Sequence, residues 1–258
     1  MSAFDLAVCA EMVFTDLPFL ERVRRIDELG FAVEIWSFQD KDLEALAATG
    51  ARFSSMTGYL HGDLHDPAGA DEVVRTAKSA IRAAAALGVP RLVVHPGELV
   101  NGQAARPTYR TTGTMWFSAQ RGLAALGELG AGAGVTFCLE NLNTIVDHPG
   151  VPLARAKDTL ELVRSVGHPN VKMMLDLYHA QIGEGNLIDL IRRAGDAIGE
   201  IQVADVPGRC EPGTGEINYR AVARAVTEAG FSGPIGLEAF AAGDSVAALE
   251  AFRSAFTG

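Results

Sequence analysis

The chain has 258 residues, 48% of them apolar and 21% charged, with a formal net charge of −10. That balance fits a globular protein with a large core, excludes extended disorder, and weighs against nucleic acid, whose binding draws on clustered Lys and Arg. Cys9, Cys138 and Cys210 are far apart and form no CxxC pair, which argues against a disulfide framework or a thiolate zinc site and leaves small ligands as the expected partners.

At the N-terminus, MSAFDLAVCAEMVF has no basic leader and carries Asp5 and Glu11 where a signal peptide needs an unbroken apolar segment. No apolar run approaches the roughly 20 residues that cross a bilayer. A cytoplasmic protein without membrane partners is expected.

From there, runs rich in Val, Ile, Leu and Phe alternate with segments whose apolar residues recur every three or four positions. The strand-like runs are FDLAVCA (4–10), AVEIW (32–36), RFSSMTG (52–58), RLVVHPG (91–97), VTFCLEN (135–141), VKMMLDLYH (171–179), EIQVAD (200–205) and PIGLEAF (234–240). Helix starts are expected at Asp16-Leu-Pro18, Asp71 and Asp244-Ser245, and helix ends at Gly30, Gly88 and Gly230. Eight repeats of about 32 residues imply parallel pairing through right-handed crossovers and closure into a single (β/α)8 TIM barrel spanning residues 1–258. An open doubly wound sheet is the alternative, but its GxGxxG turn is missing where the first strand runs into CAEMVFTDLP. The long connections all follow strands, at 3, 4, 5 and 7, which points to one functional face.

Barrel strands are buried on both sides, so polar residues near their ends require a reason. Glu140, Asp176, Gln202 and Glu238 occupy similar places in the last four units, 36, 26 and 36 residues apart. Any one strand-end acid could cap a helix or pair with an arginine. Three acids converging in a low-dielectric mouth call for protons or a cation. Their oxygens and the amide suit one divalent metal ion, Mg2+ or Mn2+ before Zn2+ or Co2+. His179, three residues past Asp176, is expected just beyond its strand, facing a substrate. His95 is placed on the opposite wall, Trp36 and Met56 as apolar pocket walls, and His61 and His65 in a solvated loop. Arg209 is the expected partner of a substrate carboxylate, because a guanidinium can hold both oxygens.

The segments LENLN, MLDLYHAQIGEGNL, IQVADVPGRCEPGTGEINY and IGLEA resemble the hydroxypyruvate isomerase family, within the xylose isomerase-like barrels of sugar isomerases and epimerases. The resemblance implies that Glu140 and Glu238 are the paired proton donor and acceptor, and that Glu140, Asp176, Gln202 and Glu238 hold the metal. Gln202 departs from the histidine of related ketose epimerases and agrees with the isomerase pattern. The implied reaction is hydroxypyruvate to tartronate semialdehyde through a cis-enediolate, with a homo-oligomer expected at family level. Isomerisation of a four-carbon 2-oxo-tetronate and 3-epimerisation of a ketose are the neighbouring alternatives. Phosphodiester cleavage on a zinc cluster, as in DNA-repair relatives of the barrel, and ligand binding without catalysis are the more distant ones.

Overall fold

The computed structural model describes residues 4–257. Eight parallel strands close into a barrel: β1 (Asp5–Cys9), β2 (Ala32–Ile35), β3 (Phe53–Thr57), β4 (Arg91–Val94), β5 (Thr136–Glu140), β6 (Val171–Asp176), β7 (Ile198–Val203) and β8 (Pro234–Leu237). Each pairs with its neighbours in sequence, and β1 closes on β8 with Val8 opposite Leu237. The expected barrel is borne out and the open sheet is excluded. Among the described residues, no helix is long and apolar enough to cross a membrane.

The helices are α1 (Phe19–Glu28), α2 (Leu43–Ala47), α3 (Pro67–Leu87), α4 (Gly113–Ala133), α5 (Ala156–Val166), α6 (Leu177–Gly183), α7 (Leu187–Ala194), α8 (Tyr219–Glu228) and α9 (Ser245–Thr257). In α3, Asp66 accepts from the Gly69 N–H and Pro67 occupies the first turn, where its missing N–H costs nothing. Asp71, expected as that cap, lies inside the helix. Asp16 does not cap α1, whose N-cap is Pro18 with no side-chain bond, whereas Asp244 accepts from the Ala247 N–H at 2.9 Å as expected. Gly88 ends α3 at φ +70°, a conformation that costs glycine little.

The run 171–179 is not one strand. It ends at Asp176, whose carboxylate accepts from the His179 N–H at 2.7 Å and so starts α6. His179 therefore lies just past the strand, as expected, and sits in the first turn of a helix. A short antiparallel hairpin, Leu99–Val100 with Gln103–Ala104, rises from the loop after β4 and closes one side of the barrel mouth.

Candidate active site

A cavity of about 470 Å³ opens at the C-terminal mouth, within the range of about 300–1,000 Å³ usual for small-ligand sites. Glu140 is the last residue of β5, Gln202 lies one before the end of β7, and Glu238 follows β8 directly; all three line the cavity. Asp176 ends β6 level with Gln202 and is buried. A two-point clamp fixes these ends: Asn141 Nδ2 donates to the Asp176 carbonyl at 2.9 Å, and the Asp176 N–H donates to Asn141 Oδ1 at 3.0 Å.

Both oxygens of Glu238 are engaged. Trp36 Nε1 donates to Oε1 at 2.7 Å, and Arg209 Nη2 donates to Oε2 at 2.6 Å. Trp36 is thus a hydrogen-bond donor at the rim, 43% exposed, and not simply an apolar wall. His95 does not stand opposite the acids. Because β4 pairs with β5, its Nε2 lies 3.1 Å from Glu140 Oε2, while its Nδ1 meets the Tyr59 hydroxyl at 3.0 Å. Met56 points into the core, and Ser55 and Thr57 line the cavity instead. His61 is paired with Glu98 at 2.9 Å, and His65 is buried with Nδ1 3.2 Å from the Pro96 carbonyl.

The motif ADVPGRCEPGTGEIN is a loop built around Asp205. Its fully buried carboxylate accepts from Val206 N, Ile217 N and Gly213 N, each at 2.9 Å. Gly215 is required there, since a Cβ would lie 2.1 Å from the Val206 carbonyl oxygen. The loop carries Arg209, at φ +54°, back over the mouth, with its guanidinium 5.1 Å from the Tyr178 ring.

The acids of this mouth are buried close together, which disfavours their charged forms. Burial first, then Glu238 and Glu140, push the Asp176 carboxyl well above the ordinary carboxylate range. Burial also raises Glu238, with Arg209 opposing and Glu140 adding to the rise. Glu140, Asp176 and His179 offer ligand atoms within 4.8 Å of one another, and the Gln202 Oε1 is buried without a protein partner. Glu140, Asp176 and the unpartnered Gln202 Oε1 are oxygen donors of the kind a hard divalent ion takes, so these residues fit a metal, while both oxygens of Glu238 are already engaged by Trp36 and Arg209.

Two acids escaped sequence reasoning. Glu34 of β2 and Glu200 of β7 are buried under the cavity, where Glu200 Oε1 accepts from Ser54 and Ser55 hydroxyls at 2.9 and 3.0 Å. Burial and then Glu200 push the Glu34 carboxyl well up. Each stands inside an apolar run, the same signal that singled out the strand-end acids. Glu34 owes its place to Gly236 of β8: a Cβ there would lie 1.8 Å from Glu34 Oε1. Gly236→Ala should therefore displace a carboxyl that accepts from Gln202 Nε2 at 3.5 Å, destabilising the fold by about 1–3 kcal/mol. Urea unfolding reads this, and an unchanged midpoint would show that Glu34 can move freely.

A closed barrel with carboxylates gathered beneath one guanidinium at its C-terminal mouth has the layout of a barrel enzyme for proton transfer at a small polar substrate. Residues 11–255 match the family described as xylose isomerase-like TIM barrel, and the chain belongs to it. The 2-oxo-tetronate isomerase of Pectobacterium atrosepticum is 30% identical over 239 residues, 88% of each chain. The hydroxypyruvate isomerase of Escherichia coli is 29% identical over 244 residues, 88% of this chain and 90% of that one. The crystal structure of an AP endonuclease, family 2, from Brucella melitensis superposes with a TM-score of 0.85 at 26% identity, covering 98% of this chain and 99% of that one. The similarity to named isomerases bears out the resemblance seen in the sequence.

Proposed function

We propose that this chain isomerises a small hydroxy keto acid, hydroxypyruvate first, to tartronate semialdehyde (2-hydroxy-3-oxopropanoate). The observation that carries this is the presence of Glu140, Glu238 and Arg209 around one cavity. The reaction takes a proton from C3 and returns one to C2, while the hydroxyl proton passes from O3 to O2. One glutamate removes the carbon-bound proton and the other delivers one, through a cis-enediolate. Arg209 spends Nη2 on Glu238 and keeps a buried, unpartnered Nε as donor for the substrate carboxylate. His95 bridges Glu140 and Tyr59, holding that carboxylate in place. Glu140, Asp176, Gln202 and Glu238 would hold a divalent ion, Mg2+ or Mn2+ before Zn2+ or Co2+, which when bound supplies Lewis acidity to the substrate oxygens. We place the reaction in the cytoplasm.

Purified protein given Mg2+ or Mn2+ is expected to form tartronate semialdehyde from hydroxypyruvate, followed by NMR, and to slow with chelator. Saturable binding without turnover across keto acids and ketoses would instead support a binding protein. A four-carbon 2-oxo-tetronate is the second reading, favoured by the Pectobacterium relative and by a cavity with room for a further carbon. The ratio of kcat/KM for the two acids decides between them.

A further inference from the structure

The loop after β5 contains an asparagine whose four hydrogen-bonding positions are all occupied. Asn143 Oδ1 accepts from the backbone N–H groups of Val146 and Asp147 at 2.9 and 3.1 Å. Its Nδ2 lies 2.6 Å from Asp147 Oδ2 and 2.8 Å from His179 Nδ1. The opposite amide orientation would set the NH2 against two N–H donors and the carbonyl oxygen against a carboxylate, so it is excluded. The second amide hydrogen must therefore point at His179 Nδ1, which can receive it only as a bare nitrogen. In a neutral imidazole the proton then sits on Nε2.

His179 Nε2 is buried, has no protein hydrogen-bond partner, and lies 3.9 Å from Glu140 Oε1. His179 lines the cavity, and edge contacts with His148 and Tyr178 hold its ring plane. Proximity alone would make this nitrogen a third metal ligand beside Glu140 and Asp176. A ligand needs a lone pair on Nε2, which would move the proton to Nδ1, directly against the Asn143 amide.

We propose that Asn143 is a positioning residue that fixes His179 as its Nε2–H tautomer, so that the histidine offers the cavity a hydrogen-bond donor and not a metal ligand. The donor suits an oxygen of the bound hydroxy-carbonyl compound. Only the consequence for turnover rests on the isomerase reading; the tautomer does not.

The test is two-bond 1H–15N correlation NMR on protein labelled at histidine, with the His179 signal assigned by its loss in His179→Gln. Wild type is expected to show a protonated Nε2 and a bare Nδ1, unchanged by Mg2+. In Asn143→Asp the new carboxylate accepts from Nδ1–H and the pattern inverts, with kcat falling on the order of 10²-fold and Zn2+ binding tightening as the Nε2 lone pair is freed. Protonated Nδ1 in the wild type, or loss of the Nε2 proton on adding Mg2+, would overturn the proposal even if Asn143→Asp failed to fold. The expected tautomer in a protein without turnover would sink the isomerase reading alone; the opposite tautomer with normal turnover would sink this inference alone.

Discussion

Glu140→Gln is expected to lower kcat for keto acid isomerisation by about 10²–10⁴-fold, and Glu238→Gln by a similar factor, because each removes one station of the proton path. The amide keeps the shape of the carboxylate and loses its basicity. At Glu140 the protein contact changes little, since the partner of its Oε2 is the His95 ring, which can meet an amide, but the amide is also the weaker metal ligand, so rates are read at saturating Mg2+. At Glu238 it also breaks the 2.6 Å contact with Arg209, so the kinetic loss is to be read beside an unfolding curve. Steady-state rates of both variants, each checked for native circular dichroism, provide the measurement. Wild-type kcat in either variant would remove that glutamate from the mechanism.

Arg209→Met should act on binding and on stability together. The pair it forms with Glu238 is largely buried, with side-chain exposures of 17% and 8%. Burial works against the guanidinium charge, and Glu238, Asp176 and Glu140 overcome it. Removing the cation leaves a buried carboxylate uncompensated, a change worth about 3 kcal/mol for a pair at this depth. Loss of a charge-assisted hydrogen bond to the substrate adds about 1.5–3 kcal/mol, or roughly 10–100-fold in kcat/KM. The same variant should bind a neutral ketose such as dihydroxyacetone with little change in KM. Arg209→Lys restores charge but not the planar fork, so it should recover stability more than affinity. Equal loss for acid and neutral compounds would take the substrate carboxylate away from Arg209.

The barrel was legible in the sequence because parallel strands buried on both faces must be apolar runs, and helices that turn straight into strands close on glycines such as Gly88. The error at β6 has a definite cause. Residues 177–179 continue the apolar run, and only the capping bond from Asp176 to the His179 N–H shows where the strand yields to a helix. The four polar residues of the mouth stood out because nothing apolar explained them. Their local partners did not. Asp176 does cap a helix and Glu238 does pair with an arginine, the two ordinary roles for such acids, while both still belong to the mouth. Trp36 reaches Glu238 across 202 residues, and Ser54 reaches Glu200 across 146. Contacts of that range follow from which strands the barrel brings together, and no local spacing encodes them. Asn143 lay within the LENLN segment, yet its role depends on the Nδ1 of a histidine 36 residues away.

Glu140 and Glu238 are assigned the transfer of a carbon-bound proton of a small hydroxy keto acid. Incubating hydroxypyruvate with the protein and Mg2+ in D2O, with 1H and 2H NMR of substrate and product, tests it most directly. Deuterium is expected at C2 of tartronate semialdehyde and, by reversal, at C3 of recovered hydroxypyruvate, with incorporation reduced at least 10²-fold in Glu140→Gln. Product formed with full retention of the C3 hydrogens, or exchange undiminished in that variant, would contradict it.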